Sequence, residues 1–266
     1  MGARDPMASP KVRANKAPQR REEIQHLVRA QGYVSIEDLA ERFGKTPQTI
    51  RRDINALAGE GLVRRHHGGA GLPSTTENVA YATRRSLLAD AKARIAQLVA
   101  RHIPNDASLF INIGTTTEEV ARSLVHHGNL RVITNNLNVA AILSDVESCE
   151  VTVAGGTVRK RDRGIIGEAT LDFIRQFKVD FGVIGISGIE EDGTLLDFDY
   201  REVQAAKSII ANSRTVFLVA DHTKFGRGAM VRLGHVGQID AVFTDKPPED
   251  RFLECLTSAD VQVYTP

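Results

Sequence analysis

Apolar positions follow two regimes along the chain. In the first seventy residues they recur at helical spacing, in short bursts parted by turn residues. Ile24, Leu27 and Val28 stand at i, i+3 and i+4 in "REEIQHLVRAQG", one stripe of an amphipathic helix that stops at Gly32. Ile36, Leu39, Ala40 and Phe43 give the stripe of a second helix. Ser35 opens it with Asp38 three residues on, an approximate capping box, and Gly44 closes it. A third follows at once, with Thr46 suited to the N-cap, Pro47 to the first helical position, and Ile50, Ile54 and Leu57 to the buried stripe. In "LVRRHHGGA", Leu62 and Val63 read as a short strand and Gly68-Gly69 as a tight turn. Three short helices and a basic hairpin predict a winged helix-turn-helix over residues 19–70.

From Tyr81 the pattern changes. A long helical stretch runs to Pro104, with Ile95, Leu98 and Val99 inward. Beyond it, continuous apolar runs alternate with helical ones. "ASLFINIG", "LRVITNN", "CEVTVAGG", "VDFGVIGISGI", "RTVFLVAD", "DAVFTD" and "VQVYTP" read as strands, with helices between them. Such alternation predicts a mostly parallel sheet with helices on both faces, an α/β domain over residues 81–266. No internal repeat is visible. "GLPSTTEN" has no apolar period and reads as a hinge within a linker over residues 71–80. Residues 1–18 are basic and lack an apolar core, so they read as a disordered extension and not as a secretion signal. No apolar run approaches membrane-spanning length. Cys149 and Cys255 match no metal spacing and read as free thiols of a cytoplasmic protein.

Charge changes this picture. The formal net charge is only +1, but residues 1–70 hold 13 Lys and Arg against 8 Asp and Glu, a net of +5. The rest of the chain, with 21 against 25, nets −4. A basic front on an acidic body points to a polyanion as the partner of the front. With Ile50, Ile54 and Leu57 inward, the third helix turns Thr46, Gln48, Thr49, Arg51, Arg52 and Asn55 outward. These side chains suit phosphates and base edges, and the early part of such a helix enters the major groove. The wing would carry Arg64, Arg65, His66 and His67 to the backbone or the minor groove. Solvated surface charge would explain either arginine pair alone but not the combination. Adjacent histidines rarely converge on one metal ion, and no third ligand lies near His66 and His67.

Ligands of parallel α/β sheets bind at the carboxyl ends of the strands. Here those ends carry Gly114, Thr115, Thr116 and Thr117, then Asn135 and Asn136, then Gly155 and Gly156, then Ser187, then Lys224 after Asp221. Glycines and hydroxyls at a helix start make an anion site, although neither a P-loop nor a GxGxxG spacing is present. Each feature also has a bland reading, as a cap, a turn or a surface lysine. Together they suit a small, hydroxyl-rich, phosphorylated molecule. "GISGI" is no nucleophile elbow. Isomerisation of a phosphosugar would need paired carboxylates near a lysine, and Glu202 and Lys224 have no evident acidic pair in the sequence. No catalytic set, metal or cofactor is called for. A phosphosugar isomerase with an appended DNA-binding module remains the alternative.

"TPQTIRRDINAL" followed by "RRHHGGA" resembles the DNA-binding signature of the DeoR family of bacterial repressors. The resemblance covers the chain from about Gln19 to about Glu249. It implies a sensor domain related to ribose-5-phosphate isomerase, with Gly114 to Thr117 matching the phosphate loop and Lys224, in "ADHTK", matching a lysine after a strand of that domain. "TNNLNVA", "RGIIGEATLDFIRQF" and "FDYREV" are similar to members that control glycerol and glycerol 3-phosphate catabolism. That likeness implies double-stranded operator DNA as one partner and sn-glycerol 3-phosphate as the releasing effector. It also implies a homodimer or homotetramer.

Overall fold

The computed structural model describes residues 17–60, 62–66, 68–72 and 81–266. Residues 1–16 of the expected extension, residues 73–80 of the expected linker, and His67 lie outside the described residues.

The N-terminal module is built as its apolar stripes require. Helix α1 (Ala17–Gln31) turns Ile24, Leu27 and Val28 inward and ends before Gly32 at φ 79. It takes in Ala17 and Pro18, which the sequence pattern left to the extension. Strand β1 (Tyr33–Ser35) leads into α2 (Ile36–Phe43). There Ser35 accepts the Asp38 amide at 3.0 Å, and Gly44 closes the helix at φ 58. Thr46 caps α3 (Pro47–Gly59) by accepting the Thr49 amide. Ile24, Val28, Leu39, Ile50 and Ile54 share one apolar cluster. Beneath it Arg20 and Asp53 form an ion pair of 2.6 Å, with side chains only 7% and 4% exposed.

The wing differs from its expected form. Its strands are β2 (Arg64–His66) and β3 (Gly69–Gly71), and β3 lies between β1 and β2 in an antiparallel sheet. Leu62 and Val63 are not a strand. The Leu62 amide closes back on the Leu57 carbonyl and Val63 is buried, so these residues complete the core before pairing starts. Gly69 belongs to a strand and not to the turn, and Gly71 ends β3.

The expected long helix is two: α4 (Tyr81–Ser86) and α5 (Ala89–Ala100), parted at Leu88 with φ 50. Buried Lys92 explains the break. Its ammonium donates to the carbonyls of Arg84 and Leu87, supplying the partners that a continuous helix would have supplied through backbone amides.

Then come β4 (Ser108–Ile111), α6 (Thr115–Ser123), β5 (Leu130–Thr134), α7 (Leu137–Leu143) and β6 (Cys149–Val153). A hairpin of β7 (Thr157–Arg159) and β8 (Gly164–Ile166) precedes α8 (Glu168–Ile174) and β9 (Val179–Gly185). Next are β10 (Gly188–Ile189), β11 (Thr194–Asp197), α9 (Tyr200–Ala211), β12 (Ser213–Val219) and β13 (Val231–His235). The chain ends in β14 (Ala241–Phe243), α10 (Asp250–Ser258) and β15 (Gln262–Tyr264). Seven strands form one parallel sheet in the order β15-β14-β12-β9-β4-β5-β6. Both faces are covered: on β12, Val216 and Leu218 join one apolar cluster, while Phe217 and Val219 join the other.

Two features position the site. The chain builds outward from β4 to β6, then restarts at β9 on the other side of β4. The β4/β9 junction is therefore a switch point, where the connections leave in opposite directions and open a crevice. In addition, "VDFGVIGISGI" is not one strand. It breaks after Gly185, and β10 joins β11 and β13 in a small antiparallel sheet. Gly188 lies so close to the Arg227 carbonyl that a Cβ would collide with it, which holds the Arg227 backbone against this sheet.

Candidate functional site

A cavity opens at the switch point. The β4–α6 loop brings Gly114, Thr115 and Thr116 to it, and the turn after β9 brings Gly185 and Ser187. Asp197 arrives from the end of β11 and Glu202 from α9. The 3-10 turn His222–Lys224 after β12, with its cap Asp221, brings Asp221 and Lys224. Arg227 follows, α4 and α5 add Arg84 and Lys92, and α1 contributes Gln31. Four basic and three acidic side chains therefore meet above the N-terminus of α6.

Burial governs their electrostatics. Removal from water pushes the Lys224 ammonium down to about 8, although Asp221 stands 3.6 Å away and opposes the shift. Arg227 is pushed down to about 10 for the same reason, and Lys92 is also lowered. Burial also opposes ionisation of Asp221, but Lys224 and the Thr223 hydroxyl outweigh it and hold the carboxyl at about 2. Asp197 is raised by burial, against hydrogen bonds from the Phe198 amide and the Ser187 hydroxyl. Glu202 rises to about 7 through burial and the nearby Asp197 carboxylate, although Arg159 lies 2.6 Å away. Cations kept from water gain from an incoming anion, as do the free amides of a helix start. Carboxylates and hydroxyls alongside them accept hydrogen bonds from a polyol.

The second surface lies on α3 and the wing. Thr46, Gln48, Arg51, Arg52 and Asn55 are exposed, Thr49 is half-buried, and Ile50, Ile54 and Leu57 are turned inward. Arg64 and Arg65 are exposed on β2. His66 behaves differently. Its ring sits edge-on to Tyr33, at 5.8 Å between centroids, and burial together with Arg64 lowers it to about 4. It is a neutral packing side chain near neutral pH and adds no positive charge to the wing.

A model of the DeoR-like helix-turn-helix domain matches residues 20–76, and one of the DeoR C terminal sensor domain matches residues 88–246. The chain belongs to the DeoR family. It is 54% identical over 248 residues to the glycerol-3-phosphate regulon repressor of Escherichia coli, covering 93% of this chain and 98% of that one. The glycerol-3-phosphate regulon repressor of Haemophilus influenzae is 53% identical over 86% of this chain and 90% of its own. Among solved structures, ribose 5-phosphate isomerase A from Neisseria gonorrhoeae aligns with 50% of this chain and 52% of its own, at TM-score 0.38 and 11% identity.

In this DeoR protein the cavity takes up Gly114, Thr115, Thr116, Ser187 and Lys224 from the residues singled out in the sequence. The others lie away from it. Thr117 is fully buried, and its hydroxyl donates to the carbonyls of Asn112 and Gly114, bracing the loop from behind. Asn135 donates to the Ile165 carbonyl, and Asn136 caps α7 by accepting the Asn138 amide. Gly155 and Gly156 are exposed on the way into β7. The sheet order explains the positions of the two asparagines and two glycines, because β5 and β6 lie beyond β4 on the side away from β9. Arg84, Lys92, Asp197 and Arg227 were not singled out. Only Arg227 carried a signal, as a second cation three residues after Lys224 in "KFGRG". Glu202, which had no evident acidic pair in the sequence, is beside Asp197. Among the described residues no cluster of three or more His, Cys, Asp or Glu could hold a metal ion. Among them, too, no helix is long and apolar enough to cross a membrane. Both cysteines are free thiols.

Proposed function

We propose that this DeoR-family repressor controls genes of glycerol and glycerol 3-phosphate metabolism and leaves its operator on binding sn-glycerol 3-phosphate. The observation that carries the effector reading is the cavity itself. The start of α6 at Gly114–Thr116 faces Lys224 and Arg227, a pairing suited to a phosphate, with Ser187, Asp197 and Asp221 beside it to receive hydroxyls. The identity to two glycerol-3-phosphate regulon repressors over most of their length supports the same ligand.

On this reading Gln48, Arg51, Arg52 and Asn55 of α3 reach base edges in the major groove, while Thr46, Thr49, Arg64 and Arg65 contact phosphates. The working unit is a homodimer or homotetramer in the cytoplasm. Each pair of subunits presents two α3 helices to half-sites about one helical turn apart, or a multiple of that. The effector acts by binding the DNA-free arrangement more tightly than the DNA-bound one, since equal affinity would shift nothing.

Fluorescence anisotropy of a labelled duplex from upstream of a glycerol-catabolism operon tests both roles at fixed salt. The expected result is tight, sequence-dependent binding that sn-glycerol 3-phosphate reverses, with Lys224→Ala binding DNA but resisting release. Binding that ignores this ligand but yields to another phosphorylated polyol would move the effector assignment and keep the repressor. Turnover of aldose or ketose phosphates would overturn the reading.

A further inference from the structure

We propose that the DNA-binding module is itself a wall of the effector cavity, latched there by Asp38, and that the ligand favours this latched arrangement over the DNA-bound one. The inference rests on the effector reading above and deepens it by naming how the two domains are coupled.

Three observations converge. First, Gln31, the last residue of α1, lines the cavity together with Lys224 and the α6 start. A ligand there touches the DNA-binding module only while the module is docked. Second, Asp38 does not complete the capping box that its position beside Ser35 would allow. One carboxylate oxygen accepts from His222 Nε2 at 2.9 Å, and the other from Lys246 Nζ at 2.8 Å. Asp245 holds the other side of His222, accepting from the ring Nδ1 and from the backbone amide, each at 2.8 Å. His222 lies in the same turn as Lys224 and directly follows Asp221. The turn that carries Asp221 and Lys224 to the cavity is therefore also the turn that holds α2. Third, docking sets Arg51 and Arg65 in one crevice with Glu37, Glu249 and Asp250. Arg251 pairs with Glu249 there, so carboxylates still outnumber the sensor domain's own cation. The wing turn is pressed against this edge: a Cβ on Gly68 would lie 2.7 Å from Glu249 Oε1 and 2.8 Å from Arg251 Nη2. A duplex brought to Arg51 and Arg65 would bring its phosphates against Glu249 and Asp250.

The consequence follows from linkage. A ligand that contacts both domains stabilises the docked state, the docked state opposes DNA, and DNA must weaken the ligand by the same factor. Gln31 and the Asp38 latch are positioning elements of this coupling and contact no base.

The test is a double-mutant cycle on the full chain, with Asp38→Ala, His222→Ala and the pair. Two readouts are taken: DNA affinity without ligand, on operator and on random duplex, and the sn-glycerol 3-phosphate concentration for half-release. The expected result is that either single change tightens ligand-free DNA binding and raises the half-release concentration about fivefold or more, while the pair does no more than one alone. His222→Ala separates the latch from simple charge, because it leaves the charge of the DNA-binding module unchanged. Should the loss of His222 unfold the turn, Lys246→Ala on the half-exposed lysine probes the same carboxylate, and Gln31→Ala probes the cavity wall. Unchanged ligand-free affinity in the folded variants, or effects that simply add, overturns the latch. If sn-glycerol 3-phosphate fails to release the wild-type protein while His222→Ala still tightens DNA binding, the effector assignment falls and the latch stands.

Discussion

The face of α3 and the sensor cavity both gather cations, and they differ in what surrounds them. Arg51 and Arg52 stand exposed, where water and salt screen each charge. Arg227 is buried and Lys224 largely so, both among carboxylates, and loss of water penalises their charged forms. The first arrangement suits a long polyanion, gripped through many separate contacts that release counterions. The second suits one small anion, because its cost of desolvation has been met during folding and only a matching charge recovers it. The same residue types thus suit two kinds of ligand, and exposure decides which.

The strongest break of this contrast lies within α3. Asp53 sits one residue after Arg52 yet is buried, and it holds buried Arg20 across the module. Asp53→Ala removes the carboxylate that pairs with both Arg20 and Arg21 and is expected to cost about 3 kcal/mol, read as an early unfolding step of the DNA-binding module in a denaturant titration. A loss below about 1 kcal/mol would mean that the pair behaves as a surface bridge. By contrast, Arg52→Ala should leave stability unchanged and cost about 1–3 kcal/mol of operator affinity, with relaxed preference at one base position. Arg64→Ala should weaken all sequences evenly and reduce the salt slope by about one unit. A changed base preference in Arg64→Ala would assign sequence reading to the wing.

The two regions were also unequally legible. The surface of α3 could be read because its residues are contiguous: Ile50, Ile54 and Leu57 fix the inward face and thereby the outward one. The parallel sheet was legible for a similar reason, since strands buried on both faces stay apolar throughout. The cavity was only half legible. The loop at the start of α6 is a local feature, and Gly114, Thr115 and Thr116 mark it in the sequence. Asp197 and Arg84 reach the cavity only because β11 folds into a second sheet and α4 breaks from α5. Neither event leaves a periodicity, and the break depends on one lysine side chain, Lys92. Asn135, Asn136, Gly155 and Gly156 failed to converge on the cavity for a topological reason, because strand order is not written in the strands themselves.

The smallest expected effect concerns the contact between the two regions. Burial alone would lower the pKa of His222, but hydrogen bonds and charge from Asp245 and Asp38 raise it from 6.5 to about 9. The groups acting on it are Asp38 and Asp245, the latter from the loop after β14; Asp221 precedes it in the turn, Lys246 holds the other oxygen of Asp38, and Lys224 pairs with Asp221. A raised folded-state pKa means that its stabilisation is complete below about 6.5 and is lost as the pH climbs through about 9. Asp38 runs the other way. Its bond from His222 outweighs its burial, and with Lys246 holds the carboxyl well below the usual range, so its contribution appears above about pH 4 and fades only in stronger acid. The latch is therefore strongest between those limits and weakens towards alkaline pH. Asp38 is partly exposed, so solvent and salt screen part of the effect. The stability gap between the wild type and Asp38→Asn, measured from about pH 6 to about pH 10, should narrow through the titration of His222. A gap that stays constant across that range would show Asp38 holding the domains by shape and neutral hydrogen bonds, and the contrast between exposed and buried charge would not extend to the junction.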